Sequence, residues 1–511
     1  MVEAEPRSIA IVGGGVAGLQ ALHSLLQLPR VEKIVLFEKS DTIGGVWREN
    51  YFGYGAQVKR DQYSFPELGP AGLDLYPTGA QLKAHCHAYC ETFGLWPYIR
   101  LSTDVQHLTR RAGPSGFRVA WKRASDAESE EEDFDFVVMA VGNFSKPFIP
   151  ELNHSHFMGR ILHSSELVDP EMLQNHHVVV VGYGKSALDC FILASKFASS
   201  ATLVARRPAW ILPQRFLGIP LEYLASTRWF AHVVFPPYYN ASRLRRWIGV
   251  FLWPLQALLW WILVPILWFH FRLPRAMWPS HSLAWQLWHG HSVSICDPAP
   301  LKEALRRGAR MLRGQLLGLT GTGCIIGTES AASSGGEAPV LLTADVVVFA
   351  TGYQESWSKL FDEETLKALD PHGEGPELYK LILPDLPGLA FLGRILTTCD
   401  IVTSFVQAQW LQALLAHQIP RPAPAVRQPT QKSYREWRRS FAPVVGHTMV
   451  AVPRVFDYLD ELMDDLQVWP SGRDRFLGLF QPLTAQTLLA AMARARATAS
   501  PVQGRRVVPV A

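Results

Sequence analysis

The chain has 511 residues, 48% of them apolar and 18% charged, which indicates a folded protein of two or three domains and excludes a disordered chain. Its formal net charge of +4 is too small to indicate nucleic acid as a partner. The six cysteines include no CxxC pair and no secretory signal precedes the first motif, so we expect free thiols in a reducing compartment.

A glycine-rich turn lies near the start of the chain, between an apolar strand over residues 8–12 and a helical pattern. A second strand, 33–37, ends at Glu38, which stands 20 positions after Gly18. This order and spacing predict a dinucleotide-binding unit, in which the turn and the helix N-terminus bind a pyrophosphate. An acid at this place accepts hydrogen bonds from ribose hydroxyls and repels a 2′-phosphate, which favours FAD or NAD. The predicted cofactor-binding residues are Gly13, Gly15, Gly18 and Glu38.

Residues 80–94 are predicted to form a helix that carries His85, Cys86, His87 and Cys90. These residue types bind metals, but no second cluster along the chain completes a ligand set. We therefore predict ordinary helix positions and no metal site.

The strand–turn–helix–strand pattern recurs from residue 177 onward. A strand over 177–181 precedes a second glycine turn, and a strand over 201–205 leads into Arg206 and Arg207. Arginine forms charge-assisted, bidentate contacts with phosphate, so this pair favours NADPH over NADH. The alternative is an exposed arginine pair at a strand end. The predicted cofactor-binding residues of this unit are Gly182, Gly184, Ser186, Arg206 and Arg207.

Residues 247–271 contain no charged residue and carry Trp253, Trp260, Trp261 and Trp268, with arginines on both sides. The run is long enough to span a bilayer. A single crossing would place two halves of one domain on opposite sides, and Pro254 and Pro265 are expected to break the run into shorter pieces. We therefore expect a bent, in-plane or re-entrant element on a membrane surface. A buried helical hairpin, an oligomer contact and a true span remain alternatives.

A third repeat supports the duplication, because residues 135–142 align without gaps with residues 345–352. Each segment reads as a buried strand followed by a glycine turn that closes one nucleotide domain. The fold class is therefore α/β, with two nested Rossmann-like dinucleotide-binding domains and a helical apolar insertion in the second. Segments 123–133 and 328–338 are expected to be solvated hairpin tips. The predicted bounds are 1–170 for the first part of the FAD domain, 171–344 for the NADPH domain with an insertion at about 215–300, 345–495 for the second part of the FAD domain with C-terminal helices, and 496–511 for a disordered tail.

Two nucleotides in one nested chain predict hydride transfer from nicotinamide to flavin. A disulfide reductase would need a redox-active cysteine pair, which is absent from the sequence. The electron acceptor is then oxygen, a quinone or a small electrophile.

Four short elements occur along the chain in this order: Gly44-Gly45-Val46-Trp47 (GGxW), residues 157–163 (most of FxGxxxHxxx), residues 182–187 (GxGxSx) and residues 350–353 (ATGY). Taken together, these motifs resemble the class B flavin monooxygenases, in particular the flavin-containing monooxygenase family and its plant-type clade. The resemblance covers about residues 8–490. One departure is Leu167, which stands where the family fingerprint has an aromatic residue.

The resemblance implies FAD and NADPH as cofactors and a monooxygenase that transfers one atom of O2 from a flavin 4a-hydroperoxide to an amine nitrogen or a thioether sulfur. It adds Gly45, Val46, Trp47, Thr351 and Gly352 to the predicted cofactor-binding residues. The candidate catalytic residues are Gln57, His163 and Gln409; His163 is expected to support the domain hinge, and an ordinary polar wall position is the alternative for each glutamine.

Other functions stay open on the sequence alone: a Baeyer–Villiger-type monooxygenase, a membrane-associated NADPH oxidase or quinone reductase, and a flavin-binding regulator without turnover. We expect a small, lipophilic substrate, O2 as co-substrate, no nucleic acid, and contact with a membrane surface through residues 247–271. The expected location is the cytoplasmic side of a membrane, with the endoplasmic reticulum as one candidate.

Overall fold

Two five-stranded parallel sheets form the centre of the computed structural model. The structure describes residues 5–113, 116–126, 128–152, 156–216, 218–288, 293–327, 338–441, 449–450, 454–468, 478–481 and 484–490. The strands are β1 Ser8–Val12, β2 Lys33–Phe37, β3 Ile99–Arg100, β4 Thr103–Arg110, β5 Phe117–Arg123, β6 Glu130–Phe134, β7 Phe136–Met139, β8 Lys146–Pro147, β9 Arg160–His163, β10 His177–Val181, β11 Ser200–Ala205, β12 Ile211–Pro213, β13 Arg215–Phe216, β14 Ile219–Pro220, β15 Ser294–Cys296, β16 Arg310–Arg313, β17 Gln315–Thr320, β18 Gly323–Gly327, β19 Val340–Thr343, β20 Val346–Phe349, β21 Tyr353–Gln354, β22 Leu389–Phe391, β23 Ile395–Leu396 and β24 Met449–Val450. The helices are α1 Val16–Leu25, α2 Arg60–Tyr63, α3 Gly79–Thr92, α4 Lys185–Phe197, α5 Leu221–Ala225, α6 Arg228–Val234, α7 Arg243–Phe251, α8 Trp253–Phe271, α9 Leu283–Trp288, α10 Pro298–Arg306, α11 Glu363–Leu369, α12 Asp400–Leu415, α13 Pro424–Phe441 and α14 Val455–Asp465.

The first sheet has the strand order β22-β7-β1-β2-β3, and all its pairings are parallel. Its central strands are short apolar runs buried on both faces, as expected of a parallel sheet covered by helices. Helix α1 packs against α12, and together with the sheet they form the largest hydrophobic core of the molecule. The residues around this sheet are called the first unit below.

The second sheet has the order β16-β11-β10-β20-β9 and is also fully parallel. Its strands β20, β10, β11 and β16 repeat the order of β7, β1, β2 and β3. The aspartates that open the two repeated segments have the same role: Asp135 Oδ2 accepts from the backbone N–H of Ser8 at 3.0 Å, and Asp345 Oδ2 accepts from that of His177 at 2.7 Å. The predicted duplication and the predicted α/β class are therefore confirmed.

A three-stranded antiparallel sheet is inserted ahead of the closing strand in each half of the repeat. The first consists of β4, β5 and β6, and only the middle of the predicted acidic tip at 123–133 lies between β5 and β6, because β6 already begins at Glu130. The second consists of β17, β18 and β19, and most of its predicted tip, residues 328–337, lies outside the described residues. The predicted tail at 496–511 also lies outside them.

The strand pairings bear on the predicted domain bounds at 171 and 344, which stay a prediction. Strand β9 pairs with β20 from Arg160 to His163, and β20 in turn pairs with β10. The second sheet therefore reaches back to residue 160 and forward to residue 349. Its edge strand β9 comes before the predicted start of the second domain, and the strand next to it, β20, comes after the predicted end. The residues around this sheet are called the second unit.

The apolar segment forms two helices that meet at Leu252, α7 and α8. The segment is therefore divided at Leu252, but Pro265 lies inside a continuous 19-residue helix, and the predicted bend stays a prediction. The expectation that both prolines break the segment was wrong: Pro254 lies in the first turn, where its missing N–H is not needed, and Pro265 removes one hydrogen bond without ending the helix. Helix α8 is long and apolar enough to cross a membrane by length and composition.

The predicted helix over residues 80–94 is α3, and Cys86 and Cys90 are buried on its inner side. All six cysteines are free and buried. Within the described part of the chain, His, Cys, Asp and Glu form no group of three or more that could hold a metal.

Candidate functional site

The first glycine turn follows β1 and brings backbone very close to backbone. Gly13 has a φ of +111°, and a Cβ on it would lie 2.5 Å from the carbonyl oxygen of Ala140. A Cβ on Gly18 would lie 1.9 Å from the carbonyl oxygen of Gly13. Helix α1 begins just after Gly15, and no side chain caps its N-terminus. The turn therefore presents free N–H groups and the positive end of a helix dipole to a ligand, as a pyrophosphate requires.

Glu38 lies at the carboxyl end of β2, beside this turn, and is 7% exposed. Its Oε2 accepts from the Gly14 N–H at 2.6 Å, and its Oε1 accepts from the Ser40 N–H at 2.9 Å. The carboxylate thus holds the glycine turn in shape. Binding of a ribose by Glu38 stays a prediction, which this position supports because the carboxylate stands at the turn itself.

The Gly44–Trp47 motif forms the opposite wall of the first turn. Gly44 and Gly45 have φ values of +115° and +57°, and the Gly44 N–H donates to the Gly14 carbonyl at 2.9 Å. A Cβ on Gly45 would lie 3.1 Å from the Cα of Gly15. Trp47 packs against Tyr63, with ring centroids 5.4 Å apart. The two glycine segments face each other across a space that side chains would fill, which fits a dinucleotide cradle.

The second glycine turn repeats the geometry of the first. Gly182 has a φ of +135°, and a Cβ on it would lie 2.3 Å from the Ala350 carbonyl oxygen. No side chain caps helix α4, which begins after Gly184, and a Cβ on Gly184 would meet no atom within 4 Å. The turn is therefore open to a phosphate-bearing ligand on the side of Gly184.

Arg206 and Arg207 directly follow β11, at the place where Glu38 follows β2. Both are exposed, and neither has a hydrogen bond or ion pair with the part of the chain that the structure describes. Their guanidinium groups are consistent with the predicted phosphate contact and do not decide between that contact and a solvated pair.

A short segment of the first unit reaches the second glycine turn. Tyr51 is 5% exposed and donates its hydroxyl to Asp189 Oδ2 of α4 at 2.8 Å. Lys185, the first residue of α4, forms an ion pair with the same carboxylate. Burial, and next the charge of Asp189, raises the pKa of Tyr51 well above its ordinary value, so the hydroxyl stays a donor. Sequence reasoning missed this contact, because Tyr51 and Asp189 lie 138 positions apart.

His163, Thr351 and Gly352 meet where the two units are joined. The His163 ring is fully buried, and its Nε2 lies 3.0 Å from the Gly352 carbonyl oxygen. The Thr351 hydroxyl donates to the carbonyl of Phe148. Burial lowers the pKa of His163. These contacts fit a hinge-supporting role for His163, as expected from the sequence, and leave no contact that indicates proton transfer.

The two candidate glutamines occupy different surroundings. Gln57 Oε1 accepts from the Ile295 N–H of β15 at 2.9 Å, so it connects the first unit to the second. Gln409 lies in α12 and donates to Ser24 Oγ at 2.9 Å. Ser24 is eight residues beyond the start of α1, so Gln409 lies about 12 Å along that helix from the glycine turn. The structure does not bring Gln409 to either turn, because helix packing decides which face of α12 turns inward.

Two further groups near the first cradle had no sequence signal. Asp400, the first residue of α12, accepts from the Thr397 N–H at 2.9 Å and from the hydroxyl of Tyr63. Burial raises the pKa of Asp400 to about 6. Arg394 follows β22 and pairs with Glu355 Oε2 at 2.8 Å. Neither residue belongs to a short motif, so only the fold shows that they lie beside the glycine turns.

Comparison with known proteins agrees with this geometry. A family model described as flavin-binding monooxygenase-like matches residues 61–239. The FAD-binding monooxygenase ktnD of Aspergillus niger is 27% identical over 258 residues, which are 47% of this chain and 41% of that protein. The chain thus spans less than half the length of this relative.

Other matches extend over most of the chain. The probable flavin-containing monooxygenase 1 of Arabidopsis thaliana is 24% identical over 462 residues, which are 81% of this chain and 83% of that protein. A solved structure, an oxidized steroid monooxygenase bound to NADP, is 18% identical and superposes with a TM-score of 0.66 over 90% of this chain and 97% of its own. At this identity the superposition supports the fold.

Proposed function

We propose that the chain is a member of the flavin-containing monooxygenase family, which it resembles, and that it oxidises NADPH and uses O2 to oxygenate a small organic substrate. FAD binds in the first unit and NADPH in the second. When bound, NADPH supplies a hydride, and FAD accepts it and activates oxygen.

The single observation that carries this proposal is the segment from Gly44 to Tyr51. At one end, Gly44 and Gly45 contact the first glycine turn, and at the other end the Tyr51 hydroxyl contacts α4 beside the second turn. Seven residues span at most about 25 Å when fully extended. Two nucleotides that start at these turns therefore lie within reach of each other, as hydride transfer between them demands.

In this proposal the protein's own residues bind the two nucleotides and orient them. Glu38 holds the first turn and selects a nucleotide without a 2′-phosphate, whereas Arg206 and Arg207 select one that carries it. Tyr51 and Lys185 fix the start of α4, where the second pyrophosphate binds. Tyr51 is buried at this contact, so the residues around it exclude water from that part of the interface.

The proposed substrate class is a soft nucleophile, an amine or a thioether. The support is the end of the fingerprint, where Leu167 stands in place of an aromatic residue and is fully buried in the core of the second unit. A ketone substrate with insertion of oxygen into a C–C bond is the alternative that product analysis would reveal.

A membrane surface is the proposed partner of α7 and α8. Most of the large apolar side chains of these helices are exposed, and only 17% of the most apolar stretch of α8 is buried. Monomeric soluble proteins seldom expose an apolar patch of this extent. The exposed side chains are Leu244, Trp247, Ile248, Val250, Phe251, Trp253, Leu255, Leu258, Trp261, Ile262 and Phe269.

Contacts at both ends of α8 favour an in-plane position over a span. Near its start, the Gln256 amide donates to the carbonyl of Val233. At its end, Phe271 is 2% exposed and belongs to the core of the second unit. A helix whose two ends contact the same folded body cannot place them on opposite sides of a bilayer. Arginines on both flanks, such as Arg243 and Arg272, then suit the headgroup zone.

The decisive experiment is an oxygen-electrode trace of the yellow protein with NADPH and a panel of amines, thioethers and ketones, with products identified by mass. We expect oxygen uptake with each product heavier by one oxygen atom for an amine or a thioether. NADPH oxidation that yields only hydrogen peroxide or a quinol would contradict oxygenation. A protein that stays colourless when supplied with FAD would contradict the whole proposal.

A further inference from the structure

Two short strands connect the two units. The chain leaves the first sheet through β8 and returns through β21, and these strands pair antiparallel, Tyr353 with Pro147 and Gln354 with Lys146. We call β8 and β21 the connecting ribbon. Because each unit is built on its own sheet, the direction of this ribbon sets the angle between the two glycine turns.

Arg394 attaches both strands of the connecting ribbon to the first sheet. Its Nη2 donates to Oε2 of Glu355, the residue that follows β21, at 2.8 Å. Its backbone carbonyl accepts from the side-chain amide of Asn143, three residues before β8, at 3.1 Å. Arg394 itself follows Gly393 at the carboxyl end of β22, next to β7. Arg394 thus contacts a residue shortly before the outgoing strand and the residue directly after the returning strand, at the edge of the first sheet.

Aromatic residues hold the guanidinium in place. It lies 5.1 Å from the ring centroid of Trp357 and 5.9 Å from that of Phe391. The indole N–H of Trp357 donates to the same Glu355 oxygen at 3.0 Å. Arg394 is 1% exposed, so its side chain faces protein on all sides and is not a wall of the flavin cradle. A buried charge of this kind depends on its partner, which makes the pair a rigid connection.

We propose that Arg394 is a positioning residue that fixes the connecting ribbon and thereby the approach of nicotinamide to flavin. This inference rests on the proposed function. Reacting atoms must come within a few ångströms, and a misplacement of about 1 Å costs up to roughly 100-fold in rate. Loosening the ribbon therefore slows hydride transfer, while each nucleotide still binds to its own turn.

The test is R394K in the FAD-loaded enzyme. Lysine keeps the charge but cannot present the planar fork of arginine to Glu355. In anaerobic stopped-flow measurements we expect flavin reduction by NADPH to slow at least about tenfold. The FAD content, the Kd for NADPH and the reduction by dithionite should stay as in the parent. Hydrogen–deuterium exchange of residues 143–148 and 352–357 should become faster, a readout that does not depend on turnover.

E355Q provides a second variant in case R394K folds poorly, and the two substitutions should be non-additive because they break one pair. The control is R427K, which alters another arginine–carboxylate pair of the first unit, with Asp385 at 3.3 Å, away from the ribbon. It should change neither rate nor exchange at the ribbon.

Unchanged reduction and exchange in R394K and E355Q would overturn the proposal, and so would loss of FAD in either, which would assign the pair to the cradle. A parent enzyme whose flavin NADPH does not reduce would instead contradict the proposed function, and the exchange measurement would still decide whether Arg394 holds the ribbon.

Discussion

The two glycine turns have nearly the same backbone and different surroundings. In both, the first glycine has a positive φ and packs onto a carbonyl of the closing strand, Gly13 on Ala140 and Gly182 on Ala350. The first turn is walled by a second glycine segment, because Gly15 faces Gly45, whereas the second turn is open at its matching glycine. A walled cradle suits a nucleotide that stays bound, and an open one suits a nucleotide that enters and leaves. In the proposed function the repeated backbone binds phosphate, and the residues around each turn determine which nucleotide binds and how long it stays.

The largest expected effect comes from a matched pair of substitutions at these turns, Gly15→Val and Gly184→Val. Both glycines have negative φ values, −79° and −75°, so the backbone accepts a side chain at either place. The valine at 15 fills the space between the first turn and Gly45, and we expect FAD affinity to fall by about 100-fold or more, ~3 kcal/mol. The valine at 184 should leave FAD bound and raise the Kd for NADPH. The measurements are the absorbance ratio of flavin to protein and NADPH titration.

Each variant serves as the control of the other. Retention of the yellow colour by Gly15→Val, or its loss in Gly184→Val, would show that the two turns are not divided between the cofactors in this way.

The strand ends provide the second test, because Glu38 is buried and Arg206 and Arg207 are exposed. Replacing both arginines with glutamine removes charge-assisted contacts worth about 1.5–3 kcal/mol, so the preference for NADPH over NADH should fall roughly 10- to 100-fold. Steady-state kcat/KM with each nucleotide measures the ratio. The control is Arg310→Gln, at the exposed first position of the neighbouring strand β16. It should leave the ratio unchanged. Equal kcat/KM values for NADH and NADPH in the parent protein would contradict the proposed role of Arg206 and Arg207 in selecting NADPH.

Local pattern was enough to predict the turns, and distant contacts were not predictable. Strands β1, β2, β10 and β11 follow from apolar runs, and the glycines from the tight turns between strand and helix, all within about 30 residues of chain. Tyr51 and Asp189 meet only because the two units are joined, and Arg394 and Glu355 meet only because the connecting ribbon returns to the first sheet. Gln409 shows the same limit: the family resemblance makes it a candidate, but packing of α12 on α1 directs it to Ser24.

The insertion distinguishes the two units further, since α7 and α8 have no counterpart among the described residues of the first unit. Trp253, Trp261 and Phe269 are 62%, 75% and 72% exposed. Burial of one such side chain contributes about 1.5–3 kcal/mol, so replacing all three with serine should weaken binding to liposomes at least about tenfold. Flotation with vesicles measures this, with the oxygen electrode as a check that the fold is intact.

The control for this experiment removes exposed apolar side chains elsewhere in the second unit, Leu317→Ser and Leu341→Ser, at positions 52% and 67% exposed. These should not change vesicle binding. A parent protein that stays in solution without detergent and does not float with vesicles would rule out the membrane contact.

The smallest expected effect is on the pH dependence of the free energy of unfolding, to which Asp400 and His163 contribute with opposite signs. Burial raises the pKa of Asp400, beside the first cradle, to about 6 from 3.8. The folded state then keeps a proton that the unfolded state has lost, so this carboxyl makes the free energy of unfolding fall as the pH rises from about 4 to about 6, with no further change above 6. His163, beside the second unit, has the opposite sign, because burial lowers its pKa and its contribution is lost as the pH falls below 6.5. Urea unfolding followed by tryptophan fluorescence measures the free energy of unfolding across this range. Its decrease with rising pH should be smaller in Asp400→Asn than in the parent protein. In Glu363→Gln, which changes an exposed carboxylate of α11, the decrease should equal that of the parent. An unaltered pH profile in Asp400→Asn would show that this carboxyl does not take up a proton on folding.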